Sequence, residues 1–232
     1  MFVSRRDLLR GAVGVAAAGS LPLVLGAGNA VAASHPTLRT GSHGAAVLAL
    51  QRRLTSLGYW LGAADGQFGD LTRQAVVAVQ KVAGLARDGV CGPATWARLD
   101  AGVRPPVHTA EGRVVEIDKK TQTLVLVNAG VIRWIFNTST GSGRKYRQGG
   151  KDHVAVTPSG DFRVFRRVDG WDDGPLGRLY RPQYFNGGIA VHGYPVVPST
   201  PESHGCCRVS LPAMDLLWGA GGMRVGTRVL VR

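Results

Sequence analysis

Between residues 44 and 59 the apolar positions Val47, Leu50, Leu54 and Leu57 recur at steps of three, four and three. That spacing lines one face of a helix, and Gln51, Arg52, Arg53 and Ser56 fall mostly off the stripe. Leu57-Gly58-Tyr59 reads as the turn that ends it. A second helix is predicted from Asp70, a residue type favoured at N-caps, to about Val82, with Ala75, Val76 and Val79 inward. A third follows Gly92, with Pro93 in its first position and Trp96 and Leu99 inward. The segment also echoes itself. Asp65-Gly66-Gln67-Phe68-Gly69-Asp70-Leu71-Thr72 returns 23 residues later as Asp88-Gly89-Val90-Cys91-Gly92-Pro93-Ala94-Thr95, each copy a tight Asp-Gly turn leading into a helix start. Residues 38–101 therefore read as a compact bundle built on a duplicated turn-helix unit.

The pattern then changes. Residues 102–111, with paired Pro105 and Pro106, mark a short, stiff linker. Over residues 112–232 short apolar runs alternate with glycine turns. Strands are predicted at Arg113–Ile117, Thr123–Val127, Val131–Ser139, Asp161–Arg166, Ile189–His192 and Arg228–Val231. One helix is expected, Leu211–Trp218, with Ser210 as N-cap and Pro212 in its first turn. The fold class is α+β: a small helical bundle followed by a mainly β sandwich or barrel-like domain.

Composition narrows the picture. A hydrophobic content of 44% supports a packed core and argues against general disorder. Three cysteines cannot make a disulfide framework, so one thiol stays free or pairs with another chain. Lys and Arg number 28 against 15 Asp and Glu, a formal charge of +13 that points to an anionic partner: nucleic acid, membrane or an acidic wall polymer. Residues 1–32 read as a signal peptide. Arg5-Arg6 opens a charged region, an uncharged stretch runs from Gly11 to Gly28, and Ala30-Val31-Ala32 offers a cleavage site. The segment resembles a twin-arginine (Tat) signal. The competing reading is a membrane anchor, for which the Gly- and Ala-rich run is marginal in length. Losing three arginines and one aspartate with the signal lowers the formal charge to +11. No other run approaches the roughly 20 apolar residues of a bilayer span, so the expectation is an exported protein, periplasmic, wall-bound or extracellular, with no permanent span.

Two patches carry candidate chemistry: Ile189-Ala190-Val191-His192-Gly193 and Ser203-His204-Gly205-Cys206-Cys207-Arg208-Val209. A thiol attacks well only as thiolate and needs a base or cationic surroundings to become one. His192 and His204 are the available imidazoles. The loop between the patches carries Pro195, Pro198 and Pro201 and is expected to be stiff, which favours a fixed His–Cys geometry. Gly205 permits close backbone approach, and backbone N–H groups there could hold an oxyanion. Neighbouring side chains of an extended segment point opposite ways, so only one of Cys206 and Cys207 can face His192. His192, His204, Cys206 and Cys207 are zinc ligands on paper, but the tight spacing typical of zinc sites is missing. No glycine-rich phosphate loop is present, and neither metal nor nucleotide cofactor is implied.

Residues 38–101 resemble a three-helix peptidoglycan-binding domain. The residues that carry the likeness are Gly41-Ser42, Gly44, Val47, Leu50-Gln51, Leu54, Leu57-Gly58-Tyr59, Asp65-Gly66, Phe68-Gly69, Thr72, Ala75-Val76, Gln80, Asp88-Gly89, Gly92-Pro93 and Thr95-Trp96. Residues 112–232 resemble the catalytic domain of L,D-transpeptidases. The carriers are Ser139-Thr140-Gly141, Thr157-Pro158-Ser159-Gly160-Asp161-Phe162, His192-Gly193 and Ser203-His204-Gly205-Cys206-Cys207-Arg208, with Asp215, Leu217-Trp218 and Val225-Gly226-Thr227 downstream. The resemblance implies Cys206 as nucleophile, His192 as general base, an oxyanion site shaped by His204 and Gly205, and substrate contacts from Arg208, Ser203 and Gly193. It implies a wall enzyme that acts on peptidoglycan stem peptides and glycan, not on nucleic acid. The reaction would release D-Ala from a tetrapeptide stem through a thioester and form a 3→3 crosslink. Water as acceptor would give an L,D-carboxypeptidase, and loss of catalysis a wall-binding protein. Two positions depart from the family pattern: only nine residues separate Gly193 from Ser203, and Cys207 stands where valine or isoleucine is usual.

Overall fold

The computed structural model describes residues 35–232, and the segment expected to be a signal peptide lies outside them. The apolar stripes form helices α1 (Ala45–Ser56), α2 (Asp70–Ala83) and α3 (Pro93–Asp100). Asp70 is the first helical residue rather than the N-cap, which is Gly69. Its carboxylate there complements the positive end of the helix dipole. The repeated turns have a common lock. Gln51 Nε2 donates to Asp65 Oδ1, Gln67 O and Thr72 Oγ1 at 2.8, 3.0 and 3.0 Å, and its Oε1 accepts from Gly66 N. Gln80 repeats the set on Asp88 Oδ1, Val90 O, Thr95 Oγ1 and Gly89 N. Both glutamines are buried, and each satisfies its amide completely on a turn that a side chain without both donor and acceptor could not close.

The remaining chain builds two open sheets and no closed barrel. The first has the order β3-β2-β1-β12-β6, from β1 (Arg113–Asp118), β2 (Thr123–Asn128), β3 (Val131–Asn137), β6 (Gly160–Arg163) and β12 (Arg228–Val231). Between them in sequence lies a separate hairpin, β4 (Lys145–Gln148) with β5 (Lys151–Val154). The second sheet has the order β11-β10-β9-β7, from β7 (Arg166–Arg167), β9 (Gly177–Asn186), β10 (Ile189–Tyr194) and β11 (Cys207–Ser210), and β8 (Trp171–Gly174) adds to β9. Helix α4 (Leu211–Trp218) starts at Ser210, whose hydroxyl accepts from Ala213 N. It buries Ala213, Met214 and Leu217.

The first sheet is covered on both faces. Val125, Val127 and Ile135 join the core of the helical bundle, while Leu124, Leu126 and Phe136 join the core shared with the second sheet and α4. This explains why β2 reads as a continuous apolar run rather than an alternation. Main-chain hydrogen bonds reinforce the junction, from Trp60 N to Ile135 O at 3.0 Å and from Ile135 N to Gly58 O at 2.8 Å.

Candidate active site

Strands β10 and β11 run parallel, with Val191 beside Cys207, His192 beside Arg208 and Gly193 beside Val209. Side chains alternate faces along a strand, so one register sorts the motif residues. Val191, Cys207 and Val209 are wholly buried in the core. His192 and Arg208 stand on the other face, and Cys206, two residues before Arg208, belongs to that face too. Cys206 is half-buried and free, whereas Cys207 has no exposed surface. A zinc site of His192, His204, Cys206 and Cys207 is therefore not assembled, since Cys207 faces away.

His192 is 2% exposed, and its Nδ1 lies 2.9 Å from Gly193 O. A carbonyl only accepts, so Nδ1 carries the proton of the neutral ring and Nε2 keeps a lone pair. Burial pushes its pKa down from 6.5 to about 4; the Arg208 charge pushes the same way and the Gly193 carbonyl opposes. Burial raises the Cys206 thiol, with the Ala190 backbone and the Arg208 guanidinium pulling it back. Both shifts favour the neutral forms at neutral pH, a thiol at Cys206 and a neutral imidazole at His192. The Arg208 guanidinium lies 4.1 Å from the Tyr194 ring centroid.

The loop before the thiol is wound on itself. Ser203 Oγ donates to Cys206 O at 2.5 Å and accepts from Gly205 N at 3.0 Å. Ser203 is only 2% exposed, and its hydroxyl braces the turn. The Gly205 N–H, expected to help hold an oxyanion, is spent on that brace. Gly205 has φ +146, a conformation that L side chains rarely adopt, and a Cβ there would come within 3.0 Å of Val156 O. Its carbonyl accepts from Thr157 Oγ1 at 2.7 Å, which places the Thr-Pro segment under the loop. Gly193 is packed closely against its neighbours. A Cβ would meet Tyr180 Cδ1 at 2.7 Å and Leu211 and Met214 at 3.1 Å, so its smallness lets β10 pack against α4.

His204 is exposed and meets the edge of Tyr146 from the β4–β5 hairpin, with ring centroids 4.7 Å apart. Sequence reasoning did not single out Tyr146, which sits in a polar, glycine-flanked hairpin. Arg144 at the foot of the same hairpin pairs with Glu202 at 2.6 Å. The other thiol, Cys91, is buried in the bundle with its pKa pushed up to about 12. A surface depression of about 500 Å³ lies elsewhere, lined by Arg113, Arg163, Arg224 and Arg228 among others.

Comparison with known proteins matches residues 112–231 to the family model of the L,D-transpeptidase catalytic domain and residues 43–99 to that of a peptidoglycan binding domain. Among solved structures, an L,D-transpeptidase from Xylanimonas cellulosilytica is 50% identical over 86% of this chain and 98% of its own, with a TM-score of 0.82. The N-acetylmuramoyl-L-alanine amidase CwlL of Bacillus licheniformis is 48% identical over 79 residues, 33% of this chain and 22% of that protein. The amidase CwlM of Mycobacterium tuberculosis is 47% identical over 57 residues, 25% of this chain and 14% of its own. The chain thus spans about a fifth or less of the length of these curated relatives.

Proposed function

Because the chain belongs to the family of the L,D-transpeptidase catalytic domain, we propose that it is a cysteine-dependent L,D-transpeptidase of the cell wall, working outside the cytoplasm. The observation that carries this reading is the sorting of the β10–β11 pair, with Cys206, His192 and Arg208 on one face and Cys207 in the core. Cys206 Sγ attacks the carbonyl that precedes the terminal D-Ala of a tetrapeptide stem, and His192 Nε2 takes the thiol proton. The carbon–nitrogen bond breaks, the imidazolium returns the proton to the departing amine, and a thioester remains on Cys206. The amine of a second stem then attacks the thioester, its proton passes back through His192 to the thiol, and a 3→3 crosslink results. Water as acceptor would instead release a tripeptide stem. The helical segment holds the enzyme on peptidoglycan, and its duplicated locks give it a rigid frame for that task.

The test is the intact mass of the protein after incubation with a carbapenem, whose strained amide acylates a competent thiol. One adduct is expected on the native chain and on Cys207→Ala, and none on Cys206→Ala. An adduct that survives Cys206→Ala, or no adduct on any of them, overturns the assignment.

A further inference from the structure

The loop joining β10 to the Cys206 turn presents four consecutive carbonyls to side chains from elsewhere. Val197 O accepts from Gln74 Nε2 at 3.2 Å, Pro198 O from Asn137 Nδ2 at 3.3 Å, Ser199 O from Arg87 Nη1 at 3.3 Å and Thr200 O from Ser139 Oγ at 2.8 Å. Gln74 lies on α2 and Arg87 just beyond it. Asn137 is itself held by α2, since its Nδ2 donates to Gln74 Oε1 and its Oδ1 accepts from Lys81 Nζ.

Lys81 is the unusual member. It is 3% exposed, and its ammonium donates to Gln122 O at 3.0 Å, Thr138 O at 2.8 Å and Asn137 Oδ1. No carboxylate pairs with it among the described residues. Burying an ammonium with only neutral acceptors is costly, and a hydrophobic side chain would join two layers more cheaply. That burial lowers the Lys81 pKa from 10.5 to about 7, and what its three hydrogen bonds achieve is aim. The segment it grips runs straight to the nucleophile: Thr138 Oγ1 donates to Arg208 O at 2.8 Å, and Ser139 and Arg208 exchange main-chain hydrogen bonds at 3.0 and 3.3 Å. Cys206 is two residues away.

We propose that α2 of the peptidoglycan-binding segment is part of the catalytic apparatus, with Lys81 and Gln74 as positioning residues that fix the 137–140 segment and the 197–200 loop, which lead into the Cys206 turn and its strand. This rests on Cys206 being the nucleophile. A tether alone would need none of these contacts, whereas here three polar side chains from the helical segment act on the catalytic loop and its neighbour. Binding and catalysis then share one rigid frame, and loosening the helix loosens the thiol.

The experiment uses the full chain as Lys81→Met and Gln74→Leu, assayed well below each variant's melting temperature. The readouts are the limiting rate of Cys206 acylation by a carbapenem, its half-saturating concentration, and sedimentation with peptidoglycan. A fall of tenfold or more in the limiting rate is expected, with the half-saturating concentration within twofold and sedimentation retained. Should Lys81→Met fail to fold, Gln74→Leu carries the test, since it removes no charge. Folded variants that acylate at the native limiting rate overturn the proposal. A native chain that gives no Cys206 adduct would instead sink the assignment of the nucleophile.

Discussion

His192 supplies a test in which the structure fixes sign and size. Its pKa falls from 6.5 to about 4 on folding because the ring is buried. Between those values the unfolded chain binds a proton that the native protein refuses, so stability falls as pH falls. The contribution is fully present above 6.5 and no longer changes below 4. Linkage puts the loss at about 1.4 kcal/mol by pH 5.5 and about 2.5 kcal/mol by pH 4.5. Carboxylates titrate in the same range, so the measurement is a difference. His192→Asn removes the titration while its amide can still donate to Gly193 O. Urea unfolding of both proteins from pH 7.5 to 4.5 should show the native stability converging on that of the variant by these amounts. Kinetics give a second reading. Carbapenem acylation of Cys206 should stay near its neutral rate at pH 5.5 and halve near pH 4. Iodoacetamide, which needs preformed thiolate, should instead react slowly at pH 7 and keep accelerating through pH 9, because burial raises the Cys206 thiol. A constant stability difference, acylation that halves near pH 6.5, or alkylation already at its plateau at pH 7 would refute the neutral-pair description.

Two further substitutions test the frame. Gly193→Ala puts a methyl 2.7 Å from Tyr180 Cδ1 and 3.1 Å from two α4 residues, so it should cost roughly 1–3 kcal/mol, read as a lower urea midpoint; an unchanged midpoint would mean that β10 and α4 separate freely. Gln80→Leu removes four hydrogen bonds from the second Asp-Gly turn and should cost about 3 kcal/mol in urea unfolding, with Gln51→Leu similar; a loss below about 1 kcal/mol for both would show that the locks do not support the bundle.

The helices were legible because each buries a single stripe and the Asp-Gly echo marks two of their starts. Strands β1, β2, β10 and β12 and helix α4 were legible as short apolar runs between turn residues, while the strand predicted at Asp161–Arg166 is split between β6, which ends at Arg163, and β7 of the other sheet. The third predicted strand ran to Ser139, but β3 ends at Asn137, and Ser139 leaves the sheet to bridge Arg208. Strand β9 was missed because Arg181-Pro182 interrupts its pattern. The structure accommodates the pair at a shift in register, where Arg181 takes φ +48 and the proline is not asked to donate into the ladder. The hairpins β4–β5 and β8–β9 project polar residues into solvent and leave no alternation to read. Of the site, the period-two argument showed without coordinates that Cys206 and Cys207 face opposite ways, and the motif resemblance chose Cys206. The pairing of His192 with Arg208 needed the parallel register of two strands that nothing in their sequences announces. The grip of α2 was invisible for a simpler reason: Lys81 reads as one more exposed charge on a helix, and only packing shows that its face meets a sheet.

Burial also explains how one thiol of three is selected. All three are raised rather than lowered, so selection does not work by making Cys206 unusually acidic. Cys91 and Cys207 have no exposed surface, which keeps substrate from reaching them whatever their charge state. Cys206 is the accessible thiol of the three, and in the proposed mechanism its base is His192, whose imidazole is held in the accepting tautomer. In the proposed mechanism a thiol of this kind is a poor target for stray electrophiles, because it would become a good nucleophile only as its proton leaves for His192 during attack on a carbonyl placed in reach. That makes placement the controlling variable. A site that relies on placement has more to gain from a loop whose carbonyls are tied down one after another than from the three prolines that stiffen it, since proline fixes its own φ but not where the loop sits.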